Sequence, residues 1–248
     1  MLHYSGRVEK MLTGHGPGNL PVITEQIRSD LQELRSAQTR GELGTAISTI
    51  VLRYSPKDIE QMRRNFKEKI RDITPEYRDQ LQEKITEHLL GTWQTLRLMH
   101  QQGTFASMNE PVPKEVDAYW TMVATQCGSG TNASASASTR ASTSADEGDD
   151  IRLRFLKFLI AGFCMFVQHE PGHPVGTPFP GGDKVQYIDG IYYCPVREKA
   201  NDVDAALCPF CPARQSPEIG YLKPPVNGSE HRKQEFIRHC HDFHNFNG

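Results

Sequence analysis

Long apolar runs, an excess of basic charge and a secretory leader are all missing from this 248-residue sequence. The longest apolar run, Phe158 to Val167, has about half the length that a membrane-spanning helix needs. The formal net charge of −2 lacks the basic excess typical of nucleic-acid-binding proteins. The N-terminus carries Arg7, Glu9 and Lys10 where a signal peptide would have an apolar core. These absences predict a cytoplasmic protein that binds neither a membrane nor nucleic acid, and they leave a protein partner open.

The first half of the chain has apolar residues at helical spacing. The pattern predicts helices over 22–36, 43–54, 75–101 and 114–124, and one more starting at Ser55-Pro56. Ser55-Pro56 and Thr74-Pro75 each combine a capping residue with a first-turn proline, and Asp58 completes a capping box. We therefore predict a mainly α fold, a helical bundle with a small C-terminal β-hairpin and cysteine module.

A stretch rich in Ser, Ala and Thr divides the chain. It has no large apolar residue to offset the entropy of ordering, which predicts a disordered insertion over 128–150. An N-terminal helical region, 1–127, precedes it. Residues 151–248 follow, with a core helix from Ile151 to Gln168 and then the cysteine module, and we expect them to pack on the N-terminal helices as one domain. Inside the core helix, Cys164 is expected to act as a small buried hydrophobe.

The run His169-Glu170-Pro171-Gly172-His173 has the letters of the zinc-protease pattern. That chemistry needs both histidines on one face of a continuous helix. Pro171 lies between them and Pro174 follows directly, so the helix should end here and continue as a rigid loop. The sequence thus disfavours a protease. His173 remains a reserve metal ligand or, in a third hypothesis, an acid/base or ligand in a metal-dependent enzyme.

A hairpin is predicted around Asp189-Gly190, a preferred pair for a type I′ turn, because aromatic and β-branched residues flank it. The register places Tyr187 opposite Tyr192 and puts Cys194 at a strand end.

Three of the six cysteines follow within eighteen residues. The two-residue spacing of Cys208-Pro209-Phe210-Cys211 lets both thiolates face one metal ion, and Cys194 is the natural third ligand. Cys240 is the favoured fourth, because it shares one face of a predicted helix over 229–243, although it is also compatible with a core thiol. His173 and His244 are reserve ligands for a site with three cysteines and one histidine.

The metal itself stays open between zinc and an iron–sulfur cluster. Four thiolates suit both, and the cysteine–proline pairs resemble those around iron–sulfur clusters. The leading hypothesis is a non-catalytic protein in which one metal centre stabilises the module. The main alternative is a redox protein that uses an iron–sulfur centre or the Cys208/Cys211 dithiol. That dithiol resembles a glutaredoxin active site, but Pro212 and Pro217 oppose the long helix that should follow.

Three segments, His173 to Gly182, Tyr192 to Val196 and Ala206 to Cys211, together resemble an archaeal family found mainly in methanogens. It is the domain-of-unknown-function family numbered 2115. The resemblance covers Ile151 to Gln215 and extends to the helical N-terminal half, with the Ser/Ala-rich stretch as an insertion. It implies a cytoplasmic protein of an anaerobic archaeon, in which these residues form one site. It implies no reaction and no substrate.

Overall fold

A computed structural model describes residues 20–128, 144–179, 183–198 and 207–216. Of residues 20–23, 128 and 144–149 it describes only the backbone. The described ranges are mainly helical, which confirms the predicted fold class. The helices are α1 Leu20–Ser36, α2 Arg40–Val51, α3 Pro56–Lys69, α4 Pro75–Gln101, α5 Glu115–Gly128 and α6 Ser144–Gly162. A short 3₁₀ helix, Thr104–Ser107, follows α4.

The capping residues start the helices where the sequence indicates. Ser55 precedes α3, and its backbone N–H donates to Asp58 Oδ2 at 2.7 Å, in the predicted capping box. A second capping box joins Thr39 and Glu42 at the start of α2. The bounds of α4 agree with the prediction, whereas α6 begins at Ser144, seven residues before the predicted Ile151.

Helix α6 is the centre of the core because nearly all of its C-terminal half is apolar. Phe155, Phe158 and Leu159 are fully buried. The hydroxyl of Tyr119 donates to the Phe158 carbonyl at 2.6 Å, and a backbone hydrogen bond from Gly162 reaches the same hydroxyl. A side chain inserted into the helical hydrogen-bond ladder distorts it, and α6 continues as a π-helical turn, Phe163–Val167.

The helix ends directly after this π-helical turn. The N–H of Gln168 donates to the Phe163 carbonyl, and His169 has a left-handed φ of 57°. His169 and His173 therefore lie on a loop and share no helix face, as Pro171 predicts.

The C-terminal part forms a three-stranded sheet in the order β1 Gln186–Ile188, β2 Ile191–Cys194, β3 Arg214–Gln215. Strands β1 and β2 pair antiparallel with Tyr187 opposite Tyr192, the predicted register. Asp189 and Gly190 have φ values of 49° and 80°, as a type I′ turn requires. Strand β3 pairs parallel with β2 and has no counterpart in the sequence prediction.

The sheet carries a small apolar cluster of its own, formed by Phe179, Val185, Cys194, Val196 and Ala213. Leu207 belongs instead to the helical core, and Phe210 packs against that core. The turn between Leu207 and Cys211 therefore connects the two clusters. The centre of the predicted insertion (129–143) and the predicted helix over 229–243 lie outside the described residues.

Candidate metal centre

Strand pairing places three of the predicted ligands in neighbouring parts of the small sheet. Cys194 ends β2, while Cys208 and Cys211 border a short 3₁₀ turn, Cys208–Phe210, that leads into β3. Because β3 lies beside β2, the Ser216 N–H donates to the Cys194 carbonyl at 3.1 Å. The three sulfurs are close enough that the charge of Cys208 or Cys211 would raise the pKa of Cys194. All three cysteines are free thiols.

Backbone N–H groups converge on these sulfurs. The thiol of Cys194 has a backbone hydrogen bond from Val196, and that of Cys211 has backbone hydrogen bonds from Ala213 and Gly172. Val196 and Ala213 are each the second residue after the cysteine, because the first is a proline without an N–H, whereas Gly172 comes from the loop after α6. Donors of this kind stabilise thiolates in metal and cluster sites.

Burial has the opposite effect on the same thiols, because it disfavours the charged thiolate form. It raises the pKa of Cys208 to about 12 and also raises the pKa values of Cys194 and Cys211. The positive charge of Arg197 partly offsets this rise in pKa. The Nε of Arg197 donates to the carbonyls of Cys211 and Ala213 at 3.3 and 3.1 Å. Without a bound cation, these thiols are protonated at neutral pH. A redox dithiol needs a lowered pKa, whereas a metal ion replaces the protons directly.

His173 lies at the edge of the cysteine cluster. Its side chain is buried, and its ring meets Phe179 edge-on at a centroid distance of 6.0 Å. The preceding residue, Gly172, donates its backbone N–H to the Cys211 sulfur. The loop that carries the broken protease motif thus runs along the cysteine cluster.

The complete ligand set remains a prediction. Cys240 and His244 lie outside the described residues. Within the described ranges, no group of three or more His, Cys, Asp or Glu side chains is arranged to hold a metal ion. The fit of the site to a metal therefore rests on its chemistry, which is three neighbouring free thiols, two of which accept backbone hydrogen bonds, and not on a ligand geometry.

Sequence reasoning missed the residues that hold this site in shape. Gln215 donates to the Pro195 carbonyl at 2.7 Å and accepts from the Glu198 N–H at 3.0 Å. Arg197 connects to two carbonyls around Cys211. These contacts join positions up to twenty residues apart across a strand pairing, so no local sequence pattern predicts them.

The remaining described cysteines belong to the helical core. Cys164 is fully buried, as predicted, with its sulfur 3.9 Å from Thr92 Oγ1 and 3.8 Å from His88 Nε2. Burial raises the pKa of Cys164 to about 12 and lowers that of His88 to about 4, so both are neutral at pH 7. A catalytic Cys–His pair needs the reverse, a thiolate beside an imidazolium.

The fold and the site define a class, a mainly helical protein whose small C-terminal sheet presents a cluster of three cysteines. The chain belongs to the DUF2115 family, described as an uncharacterized protein conserved in archaea, whose model matches residues 39–216. The match includes His173 and the three clustered cysteines.

The relatives come from methanogens. A UPF0305 protein of Methanothermobacter thermautotrophicus is 48% identical over 69 residues, which are 28% of this chain and 44% of that protein. A UPF0305 protein of Methanopyrus kandleri is 42% identical over 71 residues, 29% of this chain and 50% of that protein. The chain thus spans about half the length of the curated relatives it matches.

No solved structure matches the chain. Among the described residues, no helix combines the length and apolar character that a membrane crossing requires.

Proposed function

We propose that this chain is a cytoplasmic metal-binding protein in which Cys194, Cys208 and Cys211 hold one metal centre. The proximity of three free thiols from two separate segments supports this proposal, together with the backbone N–H groups that bond to two of them. A metal bound there would supply a cross-link between β2 and the segment that leads into β3. The methanogen relatives suit a role in anaerobic archaeal metabolism.

The centre is proposed to be structural and non-catalytic. The sheet has three strands of two to four residues, and a small sheet of this kind is marginal without further support. Its own apolar cluster has five members, so a metal cross-link would add substantially to its stability. Leu207 and Phe210 then connect the metal-bound turn to the helical core.

Cys240 is the proposed fourth ligand, with His173 and His244 in reserve. His173 gains support from its buried position beside Gly172 and from lying within the family match, which ends at Ser216. Metal content of three matched variants, Cys240→Ser, His173→Asn and His244→Asn, identifies the fourth ligand. If only Cys240→Ser loses metal, Cys240 is the fourth ligand. If only one of the two histidine variants loses metal, that histidine is the ligand instead.

Metal analysis of the full chain, purified without oxygen, tests the proposal. About one zinc per chain in a colourless protein supports a structural zinc site. A brown protein with iron and sulfide supports the iron–sulfur form of the centre. A metal-free protein with a reversible Cys208–Cys211 disulfide would contradict the proposal and favour a redox function of the Cys208/Cys211 dithiol. The high pKa values of the buried thiols speak against that dithiol as the resting function.

A further inference from the structure

Arg197 connects the two segments that carry the three clustered cysteines. It lies in the turn after β2, where its backbone N–H donates to the Cys194 carbonyl at 3.5 Å. Its Nε donates to the carbonyls of Cys211 and Ala213, at 3.3 and 3.1 Å, on the segment that leads into β3. The half-buried side chain of Arg197 therefore spans the same two segments that supply the thiols.

The turn that carries Arg197 is itself held in place by Gln215 of β3. The amide of Gln215 donates to the Pro195 carbonyl at 2.7 Å and accepts from the Glu198 N–H at 3.0 Å. These two contacts fasten the chain to β3 on both sides of Arg197. Because its planar guanidinium also bonds to two carbonyls, its position is set by protein contacts alone.

The positive charge of Arg197 acts on all three thiols of the cluster. It lowers the pKa values of Cys194, Cys208 and Cys211 and so partly offsets the effect of burial. A divalent cation held by three thiolates leaves one net negative charge in this place, and a fourth thiolate would leave two. A buried net charge is unfavourable unless an opposite charge lies close to it. The fold therefore supplies a cation where a thiolate-bound metal would need one.

We propose that Arg197 is the counter-charge of the thiolate centre and determines how tightly the centre holds its metal. Because this role rests on the proposed metal centre, it adds a residue that sets the affinity of that centre. A guanidinium has only donors, so Arg197 is not a ligand and acts through the thiolates. A purely structural clamp on the Cys211 and Ala213 carbonyls would need the N–H donors of Arg197 but not its charge.

Zinc titration of the full chain, freed of metal without oxygen and measured in competition with a chromophoric chelator, tests this role. Arg197→Gln keeps N–H donors and loses the charge, and it should bind zinc about 10- to 100-fold more weakly, the range typical of groups beside metal ligands. Arg197→Lys keeps the charge and should retain most of the parent affinity. The matched control is Arg214→Gln, the same substitution at an exposed arginine of β3, which should bind zinc as the parent does.

Cobalt distinguishes an effect of charge from a loss of structure. Thiolate-bound Co²⁺ gives charge-transfer absorption whose intensity rises with the number of thiolate ligands. At saturating Co²⁺, Arg197→Gln should reach the parent intensity, because its cysteines still bind and only the affinity has changed. A lower intensity would overturn the proposal and indicate a structural clamp.

The zinc affinities separate failure of this role from failure of the metal centre. If the parent binds zinc and Arg197→Gln binds it equally well, Arg197 is not the counter-charge, although the metal centre stands. Equal losses in Arg197→Gln and Arg197→Lys, or an equal loss in Arg214→Gln, would also overturn the role of Arg197 alone. A parent chain that binds neither zinc nor cobalt would overturn both.

Discussion

The ring of Phe210 meets the ring of Tyr119 edge-on, with centroids 5.2 Å apart and planes at 81°. Tyr119 is fully buried in the helical core, and Phe210 lies between the two cysteines of the Cys208–Cys211 pair. This contact physically connects the proposed metal centre to the bundle. What binds at the cysteines should therefore affect the stability of the helices.

Phe210→Ala should weaken that connection. Removing the ring eliminates an edge-to-face pair and leaves a gap beside Tyr119, and for a half-buried phenylalanine we expect a loss of about 2 kcal/mol in the free energy of unfolding. Urea unfolding followed by circular dichroism measures it. Phe210→Leu is the control, since it keeps most of the apolar contact and should lose less than half as much. Equal stability of Phe210→Ala and the parent would contradict the coupling.

Cys211→Ser should remove bound metal and lower the melting temperature, because serine cannot replace a thiolate as a ligand. The matched control is Cys127→Ser, which makes the same substitution at a buried cysteine of the helical core. It should be destabilised yet keep its full metal content. If both variants lose metal equally, the loss reflects general unfolding and the ligand assignment is wrong.

Two glycine-to-alanine changes should act in opposite directions. A Cβ at Gly41 would lie 2.2 Å from the Phe105 carbonyl oxygen, so backbone must move, and we expect a loss of about 2 kcal/mol or more. At Gly91 no described atom lies within 4 Å of an added Cβ, and alanine should stabilise the chain by about 0.5–1 kcal/mol through helix propensity. Denaturant unfolding measures both, and a stable Gly41→Ala variant would refute the close packing of α2 on residues 105–108.

Stability should depend on pH through His88. Burial lowers its pKa from 6.5 to about 4 in the folded chain. Between pH 6.5 and 4, His88 is therefore protonated in the unfolded chain and neutral in the folded chain. The free energy of unfolding should fall as the pH is lowered through this window, and His88 should not affect it above pH 6.5. The loss should be on the order of 2 kcal/mol, allowing for partial solvent screening. Unfolding at several pH values should give a shallower decline in His88→Gln, and identical declines would rule this effect out.

The sequence predicts what local chemistry determines and misses what tertiary contacts determine. The Ser55/Asp58 cap, the full extent of α4 and the turn at Asp189-Gly190 follow from short-range patterns, and all appear in the structure. Strand β3 could not be predicted, because its two residues pair only with residues of β2 that lie twenty-one positions earlier in the sequence. The π-helical turn after α6 lies beside a hydrogen bond from the hydroxyl of Tyr119, a contact from another helix that the local sequence does not reveal.

The same distinction holds at the candidate site. The strand-end position of Cys194 follows from the hairpin register, whereas the proximity of Cys194 to the Cys208–Cys211 pair depends on the pairing of β3 with β2. Gly172 and Arg197 support the site from outside those motifs, and they become recognisable only once the loop after α6 is placed beside Cys211.

X-ray absorption, at the edge of whichever metal the anaerobically purified chain contains, tests the proposed thiolate centre directly. We expect a first shell with three or four sulfur neighbours, at about 2.3 Å if the metal is zinc. This sulfur shell should be lost in Cys208→Ser. A shell of only nitrogen and oxygen neighbours, or a chain that binds no metal at all, would contradict a cysteine-bound metal centre.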